Sequence, residues 1–255
     1  MKKCKLCGGI CQSVGNGQYQ CDCCGNIFSE EDFAPKMSLK KEQINTNMDL
    51  GADLFEKVRN GVLEINCRGK KSAWCGSGYI ISQYGYAMTN AHVAADEDGQ
   101  PCANISVNVC GKSIPAKVVA LADDKAGHGS GVDLAIIKLA SVPNEAVVLP
   151  LADFNNVYTG ERVFVLGNSL GDGTCITSGI VSDKNRKLNG KTLLMTDCAI
   201  NGGNSGGPIF NADGKVIGTI CSARIKSDGT DTKGMNYAVP INIVEEFIKE
   251  SGIRL

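Results

Sequence analysis

The sequence predicts an all-β main domain that follows a small cysteine-rich module and ends in a helix. From about residue 49 onward, short runs of β-type residues alternate with turns rich in Gly, Asn or Asp. That pattern is typical of a sandwich or a barrel rather than of a parallel α/β sheet. Six of the 13 cysteines lie within the first 24 residues. Residues 241–250 place apolar side chains on one face of a helix.

Changes in composition divide the chain into three segments. Residues 1–33 are rich in Cys and Gly, residues 34–48 have the polar composition of a linker, and residues 49–255 form the main domain. Residues 50–58 fit a short amphipathic helix. The β-type runs of the main domain are 62–67, 72–82, 86–90, 104–110, 114–121, 133–139, 161–166, 175–182, 192–199, 207–210 and 215–222.

Charge and hydropathy exclude several classes of function. The chain has 26 basic and 27 acidic residues, so its formal net charge is −1. Such a balance does not provide the overall positive field that holds nucleic acid or an anionic membrane. No apolar run approaches the roughly 18 to 20 residues of a membrane span. The first seven residues are basic with no apolar stretch behind them, so we expect no secretory signal and a cytoplasmic location.

The N-terminal cysteines have the spacing of a metal site. Two Cys-x-x-Cys-Gly turns offer four thiolates, which are Cys4, Cys7, Cys21 and Cys24. Four sulfur ligands complete the tetrahedral coordination of a structural Zn²⁺ and leave no open position for a substrate. The stretch resembles a zinc ribbon. Cys11 and Cys23 are surplus to this pattern, although Cys23 is able to replace a neighbour as ligand; a redox pair or unliganded thiols are the alternatives.

The same module is a poor candidate for binding nucleic acid. Residues 1–33 hold three lysines against four acidic residues, and no basic stripe interleaved with aromatic residues is present. We therefore expect a structural module or a contact surface for a protein partner.

The main domain contains the sharpest motif of the chain, GGNSGGP at residues 202–208. Glycines around Ser205 allow backbone conformations in which N–H groups converge on the oxygen of a tetrahedral intermediate. A serine nucleophile needs a base, and the chain has only two histidines. His92 ends a strand-like run, whereas His128 lies in a polar loop. Asp133, at the head of an apolar strand, is the candidate that orients the base, with Asp123 and Asp124 as competitors.

The order His92, Asp133, Ser205 is that of the chymotrypsin-type proteases and differs from the orders of subtilisins and α/β-hydrolases. Over roughly residues 50–250 the sequence resembles the HtrA/DegP branch of the trypsin-like serine proteases. The blocks that carry the resemblance are GSGYII at 76–81, TNAHV at 89–93, DLAIIK at 133–138, GNSGGP at 203–208 and NYAVP at 236–240.

The resemblance implies two perpendicular six-stranded antiparallel β-barrels with the catalytic triad in the cleft between them. By position, His92 is the general base, Asp133 orients it, Ser205 is the nucleophile, and the N–H groups of Gly203 and Ser205 form the oxyanion hole. Family members are usually exported and usually carry PDZ domains. We expect neither feature here, and a trimer is the assembly that the resemblance implies.

The same fold places the floor of the primary substrate pocket six residues before the nucleophile, at Ala199. Cys198 and Ile220 complete the predicted pocket, and the loop 224–234 flanks it. Because no acidic residue stands at the floor, we expect a small or medium aliphatic residue before the scissile bond of a protein substrate.

Two functions remain open from the sequence. The first is an active serine endopeptidase that acts through an acyl-enzyme. The second is a catalytically silent protease fold that serves as a scaffold, with the zinc ribbon as its interaction module.

Overall fold

The computed structural model describes residues 2–33, 50–122, 132–188, 190–225 and 231–255. The chain divides into two compact units, Met1–Asn47 and Met48–Leu255. The predicted linker, residues 34–48, lies outside the described residues, as do His128, its neighbours Asp123 and Asp124, and residues 226–230 of the loop at the predicted pocket. Within the described ranges, no helix has the length and apolar character needed to cross a membrane.

The N-terminal unit is a four-stranded antiparallel sheet with the strand order β1-β2-β3-β4. Its strands are β1 (Lys2–Lys3), β2 (Ile10–Gly15), β3 (Gln18–Cys21) and β4 (Ile27–Ser29). Asn16 and Gly17 both have positive φ, at 52° and 71°. Two such residues are what a tight hairpin with the right-handed twist of its strands requires.

The first part of the larger unit is a closed six-stranded barrel with the order β10-β7-β6-β5-β8-β9. Helix α1 (Leu50–Val58) precedes it, and the short helix α2 (Ala91–Ala94) follows its third strand. The strands are β5 (Val62–Arg68), β6 (Ala73–Ile80), β7 (Tyr86–Thr89), β8 (Asn104–Val109), β9 (Lys112–Leu121) and β10 (Ala135–Leu139). Its interior is filled by aliphatic side chains, among them Leu63, Ile65, Val107 and Ile137, which are fully buried.

The second part is another closed six-stranded barrel, with the order β11-β12-β13-β16-β15-β14. Its strands are β11 (Arg162–Asn168), β12 (Thr174–Leu188), β13 (Lys191–Thr196), β14 (Pro208–Asn211), β15 (Val216–Ile225) and β16 (Asp231–Pro240), and helix α3 (Ile241–Glu250) follows. The prediction of two six-stranded antiparallel barrels with a C-terminal helix is therefore confirmed. Strand β16, absent from the predicted runs, pairs with both β13 and β15.

A separate apolar cluster joins the two barrels. Tyr79 and Met88 of the first barrel pack in it with Phe164 and Phe210 of the second, and all four are buried. The hydroxyl of Tyr79 is also hydrogen-bonded to Thr219 Oγ1 across the cluster, at 2.9 Å. Burying a large apolar side chain stabilises a fold by about 1.5–3 kcal/mol, so this cluster holds the two barrels in a fixed arrangement.

Candidate active site and metal centre

The register of two strands brings His92 and Asp133 together. Strands β7 and β10 are antiparallel, and Thr89 at the end of β7 pairs with Ala135 at the start of β10. The residues just beyond each strand end must therefore meet at one edge of the first barrel. His92, on the short helix after β7, and Asp133, just before β10, are those residues.

Both oxygens of the Asp133 carboxylate are directed at His92. Oδ2 lies 2.7 Å from His92 Nδ1, and Oδ1 accepts the backbone N–H of His92 at 3.1 Å. Asn90 holds the backbone of Asp133, since its Nδ2 donates to the Asp133 carbonyl at 2.7 Å. An ionised carboxylate only accepts hydrogen bonds, so this contact favours Nδ1–H as the donor. In the neutral ring, Nε2 is then the acceptor.

Two side chains that sequence reasoning passed over fix the turn that carries His92. The indole N–H of Trp74 and the thiol of Cys67 both donate to the carbonyl of Val93, at 2.9 Å and 3.0 Å. Burial raises the pKa of the Cys67 thiol to about 12, so it stays a protonated donor. Glycine is required at residue 76 because of the same turn: a Cβ there would lie 2.6 Å from Val93 Cγ1.

At two positions near Ser205, both the backbone angles and the lack of space for a Cβ require glycine. Gly203 has φ +93° and Gly206 has φ +85°, values in the left-handed region that favours glycine. A Cβ at Gly203 would lie 2.1 Å from the carbonyl oxygen of Asn168, and one at Gly206 would lie 2.2 Å from that of Ser77. The segment therefore packs directly on the backbone of both barrels.

The N–H groups of Gly203 and Ser205 are unused donors. Their neighbours are engaged: Asn204 N–H donates to the carbonyl of Asn201 at 3.2 Å, and Gly206 N–H to that of Ile220 at 2.8 Å. Within the described part of the chain, Gly203 and Ser205 donate no backbone hydrogen bond. Two free donors, two residues apart, are what an oxyanion would need.

Ser205 is half-buried and lies beside the strand that leads to His92. Its carbonyl accepts the N–H of Ser77 at 2.7 Å, and a Cβ at the adjoining Gly206 would lie 3.0 Å from Asn90 N. No hydrogen bond joins Ser205 to His92, both of which the structure describes. Such a contact often forms only when substrate is bound.

The three residues of the predicted pocket differ in exposure. Ala199 is exposed, and its carbonyl accepts the hydroxyl of Thr177 at 2.9 Å. Cys198 and Ile220 are completely buried among the aliphatic side chains of the second barrel. Burial raises the pKa of the Cys198 thiol to about 11. Of the three residues, only Ala199 is exposed to solvent.

The four predicted metal ligands converge in the N-terminal unit. The Sγ atoms of Cys4, Cys7, Cys21 and Cys24 all lie within 4.8 Å of one another. The Sγ atoms of Cys4 and Cys24 are 3.6 Å apart, and those of Cys7 and Cys21 are 3.5 Å apart.

These distances fit a tetrahedral metal ion. Zn–S bonds of about 2.3 Å separate the sulfur atoms of a tetrahedral site by about 3.8 Å. Gly8 and Gly25, with φ +79° and +70°, complete the tight turns after each Cys pair. Backbone and side-chain amides point at the sulfurs, since Leu6 N–H donates to Cys4 Sγ at 3.4 Å and Asn26 Nδ2 to Cys24 Sγ at 3.2 Å. Cys11, buried, and Cys23, exposed, do not belong to the group.

Comparison with known proteins agrees with this fold. The family model described as "Trypsin-like peptidase domain" matches residues 76–218. Among curated proteins, a "Probable periplasmic serine endoprotease DegP-like" of Pseudomonas fulva is 35% identical over 192 residues, which cover 72% of this chain and 37% of the relative. The protein of the same name from Rickettsia prowazekii is 34% identical over 221 residues, covering 82% of this chain and 40% of the relative. The chain thus spans about two fifths of the length of these relatives.

Solved structures give the same result. The "HtrA-type protease AlgW with tripeptide" has a TM-score of 0.65 and 29% identity, covering 79% of this chain and 64% of that one. A serine endoprotease from Yersinia pestis has a TM-score of 0.63 and 26% identity, covering 78% of this chain and 65% of that one.

One prediction from the sequence is contradicted. We expected a cytoplasmic location, but the DegP-like relatives are named periplasmic. The expectation depended on the first seven residues, whereas the family model matches residues 76–218, within the β-barrel unit. The resemblance that we drew from the motif blocks is confirmed: the chain belongs to the family of trypsin-like peptidases, in its HtrA-type branch.

Proposed function

We propose that this chain is a serine endopeptidase in which Ser205 is the nucleophile, His92 the general base and Asp133 the group that orients His92. The observation that carries the proposal is the double contact of the Asp133 carboxylate with the ring and the backbone of His92. It fixes the ring and its tautomer, and it leaves Nε2 able to accept a proton.

In the first half of the reaction, the Ser205 hydroxyl gives its proton to His92 Nε2 while Oγ attacks the carbonyl carbon of the scissile peptide. The negative charge passes to the carbonyl oxygen, which the free N–H groups of Gly203 and Ser205 stabilise. The imidazolium then returns the proton to the leaving amine, and an acyl-enzyme forms on Oγ. In the second half, water attacks the acyl carbon and loses a proton to Nε2. The imidazolium then returns that proton to Ser205 Oγ as the acyl C–O bond breaks, and the acid product leaves.

The substrates are proteins or peptides, in keeping with the relatives, which are named serine endoproteases. We infer a preference for a small or medium aliphatic residue before the scissile bond. Ala199 is exposed at the predicted pocket floor, and it offers a methyl group rather than an acid to an incoming side chain.

The four N-terminal cysteines are proposed to hold one structural Zn²⁺, which supplies folding energy to their unit and no chemistry to the reaction. The same unit is the proposed contact surface for a protein partner, because Leu6, Val14 and Ile27 expose 71%, 52% and 57% of their surface. Assembly into a trimer stays a prediction.

The rival function is a silent scaffold, which the missing hydrogen bond between Ser205 and His92 would favour. A fluorescent peptide phosphonate separates the two functions, since it labels only a serine that an adjacent base activates. We expect the phosphonate to label the full chain at Ser205 and to label Ser113→Ala, a change at an exposed serine of β9, equally well. Ser205→Ala should take up no label. A folded full chain that is never labelled would support the scaffold instead.

A further inference from the structure

Ser77, in strand β6, is fully buried, and each of its polar groups makes a hydrogen bond. Its N–H donates to the carbonyl of Ser205 at 2.7 Å, and its carbonyl accepts the hydroxyl of Thr89 at 2.7 Å. Its own hydroxyl donates to the carbonyl of Gly203 at 2.7 Å and accepts the N–H of Asn168 at 2.8 Å. One residue of the first barrel thus contacts the nucleophile's segment, a strand of the second barrel and the strand that leads to His92.

The free N–H groups of Gly203 and Ser205 owe their direction to the carbonyls that precede them. In a trans peptide the C=O and the N–H point in opposite directions. The carbonyl of Gly202 accepts Leu170 N–H at 2.7 Å, and the carbonyl of Asn204 accepts Gly207 N–H at 3.0 Å. Both anchors are backbone groups, so no side-chain substitution removes them.

The Gly203–Asn204 peptide, which lies between the two peptides that carry the free N–H groups, is anchored differently. Its carbonyl, that of Gly203, accepts the Ser77 hydroxyl, and its N–H, that of Asn204, points the opposite way to the carbonyl of Asn201. If this middle peptide rotated, the N–H groups on either side of it would turn away from each other. Its carbonyl is the one among the three that a side chain holds.

The Ser77 hydroxyl is suited to holding the Gly203 carbonyl because that carbonyl is the one acceptor to which it donates. The Asn168 N–H occupies a lone pair of Oγ, and the proton is then directed at the Gly203 carbonyl. A methyl group in its place would leave a buried donor and a buried acceptor without partners.

We propose that Ser77 is a positioning residue for the oxyanion hole: its hydroxyl fixes the Gly203–Asn204 peptide and so holds the N–H groups of Gly203 and Ser205 convergent. The inference rests on the proposed peptidase function. Loss of an oxyanion-hole donor costs about 10²–10³-fold in kcat. Misdirecting the donors without removing them should lower kcat by less, about 10- to 100-fold.

The test compares Ser77→Ala with Ser82→Ala in the full chain. Ser82 is a buried serine two residues after the end of β6, where its hydroxyl oxygen accepts the N–H of Tyr84. In the described chain it makes no hydrogen bond to residues 203–205. For each protein we would measure kcat, KM, the inhibition constant of a peptide boronate, whose adduct places an oxygen in the hole, and that of a cleaved peptide product.

We expect Ser77→Ala to lose kcat and boronate affinity together by about 10- to 100-fold, with KM and product affinity within about twofold, and Ser82→Ala to behave as wild type. Unchanged kcat and boronate affinity would overturn the inference, as would an equal loss in product affinity or the same loss in Ser82→Ala. Should Ser77→Ala fail to fold, Ser77→Cys replaces it, since its thiol is a weaker donor. This variant must still lose kcat and boronate affinity together, by less than the loss expected for alanine. A wild-type chain that neither hydrolyses peptides nor binds the boronate refutes the peptidase function itself.

Discussion

The two units of this chain are stabilised in different ways. In the N-terminal unit the buried core residues are three cysteines, Cys4, Cys11 and Cys21, with a few partly buried aromatic side chains beside them. In the larger unit, three clusters of aliphatic and aromatic side chains fill the two barrels and the region where they join. A segment of about 30 residues cannot bury enough apolar surface to fold alone. We therefore expect the small unit to depend on the proposed metal for its folding and the large unit to fold on its apolar core.

The aromatic side chains of the small unit support this contrast. Tyr19 and Phe33 meet edge to face with ring centroids 5.5 Å apart, and Lys2 Nζ lies 3.5 Å from the Tyr19 ring. Such contacts are worth about 0.5–1.5 kcal/mol each. A structural Zn²⁺ contributes about 10–16 kcal/mol to the folding of small zinc peptides. We therefore expect the metal-dependent folding of the small unit and the reaction of the large unit to be separable by experiment.

The largest effect among single conservative changes is expected in the large unit, for Asp133→Asn. The amide offers an N–H in place of a carboxylate oxygen, so the imidazole must adopt the other tautomer and Nε2 can no longer accept the serine proton. In the related triad, this change lowers kcat by about 10⁴-fold. Steady-state peptide hydrolysis measures the loss here. Asp98→Asn, at a surface ion pair with Lys70, is the matched control and should keep its kcat.

Asp133→Asn within about tenfold of the wild-type rate would mean that the carboxylate has no part in the reaction. The fold would be unaffected by that result, because strands β7 and β10 pair through their backbones.

The smallest effect on hydrolysis is expected from removal of the metal. Chelation should abolish the amide-exchange protection of residues 2–33, because the metal supplies most of their folding energy, and should leave the hydrolysis of a short peptide unchanged. Elemental analysis should find one zinc per full chain and per Cys23→Ser, but none in Cys21→Ser.

Two outcomes would contradict this separation. Hydrolysis of the short peptide that disappears on chelation would tie the metal to the reaction. Equal loss of metal from Cys23→Ser and Cys21→Ser would make Cys23 a ligand, against the convergence of the other four sulfurs.

Most of the fold could be predicted from local pattern, but strand β16 could not. Its residues include Lys233, Gly234 and Asn236, which are poor strand formers. The strand forms because β13 and β15 supply hydrogen-bond partners on both sides. That information lies in the tertiary structure and not in the segment itself.

The candidate site shows the same division. The contact between His92 and Asp133 could be predicted, since strand ends and chain order are visible in the sequence; their catalytic roles stay a prediction. The role of Ser77 could not, because its hydroxyl bonds to a carbonyl 126 residues away. Likewise, no sequence pattern announces that Trp74 donates to Val93. Cys198, two residues after β13, and Ile220, in β15, are buried in the apolar interior of the second barrel, and this burial depends on the tertiary fold.

The most direct measurement is a cycle of His92→Ala, Ser205→Ala and the double variant, assayed by peptide hydrolysis in the full chain. When two catalytic side chains act as one unit, removing either lowers kcat by about 10⁶-fold, and removing the second lowers it little further. We predict that the double variant hydrolyses peptide as fast as Ser205→Ala does. A double variant slower than Ser205→Ala by the whole factor that His92→Ala costs alone would show that the two residues act independently.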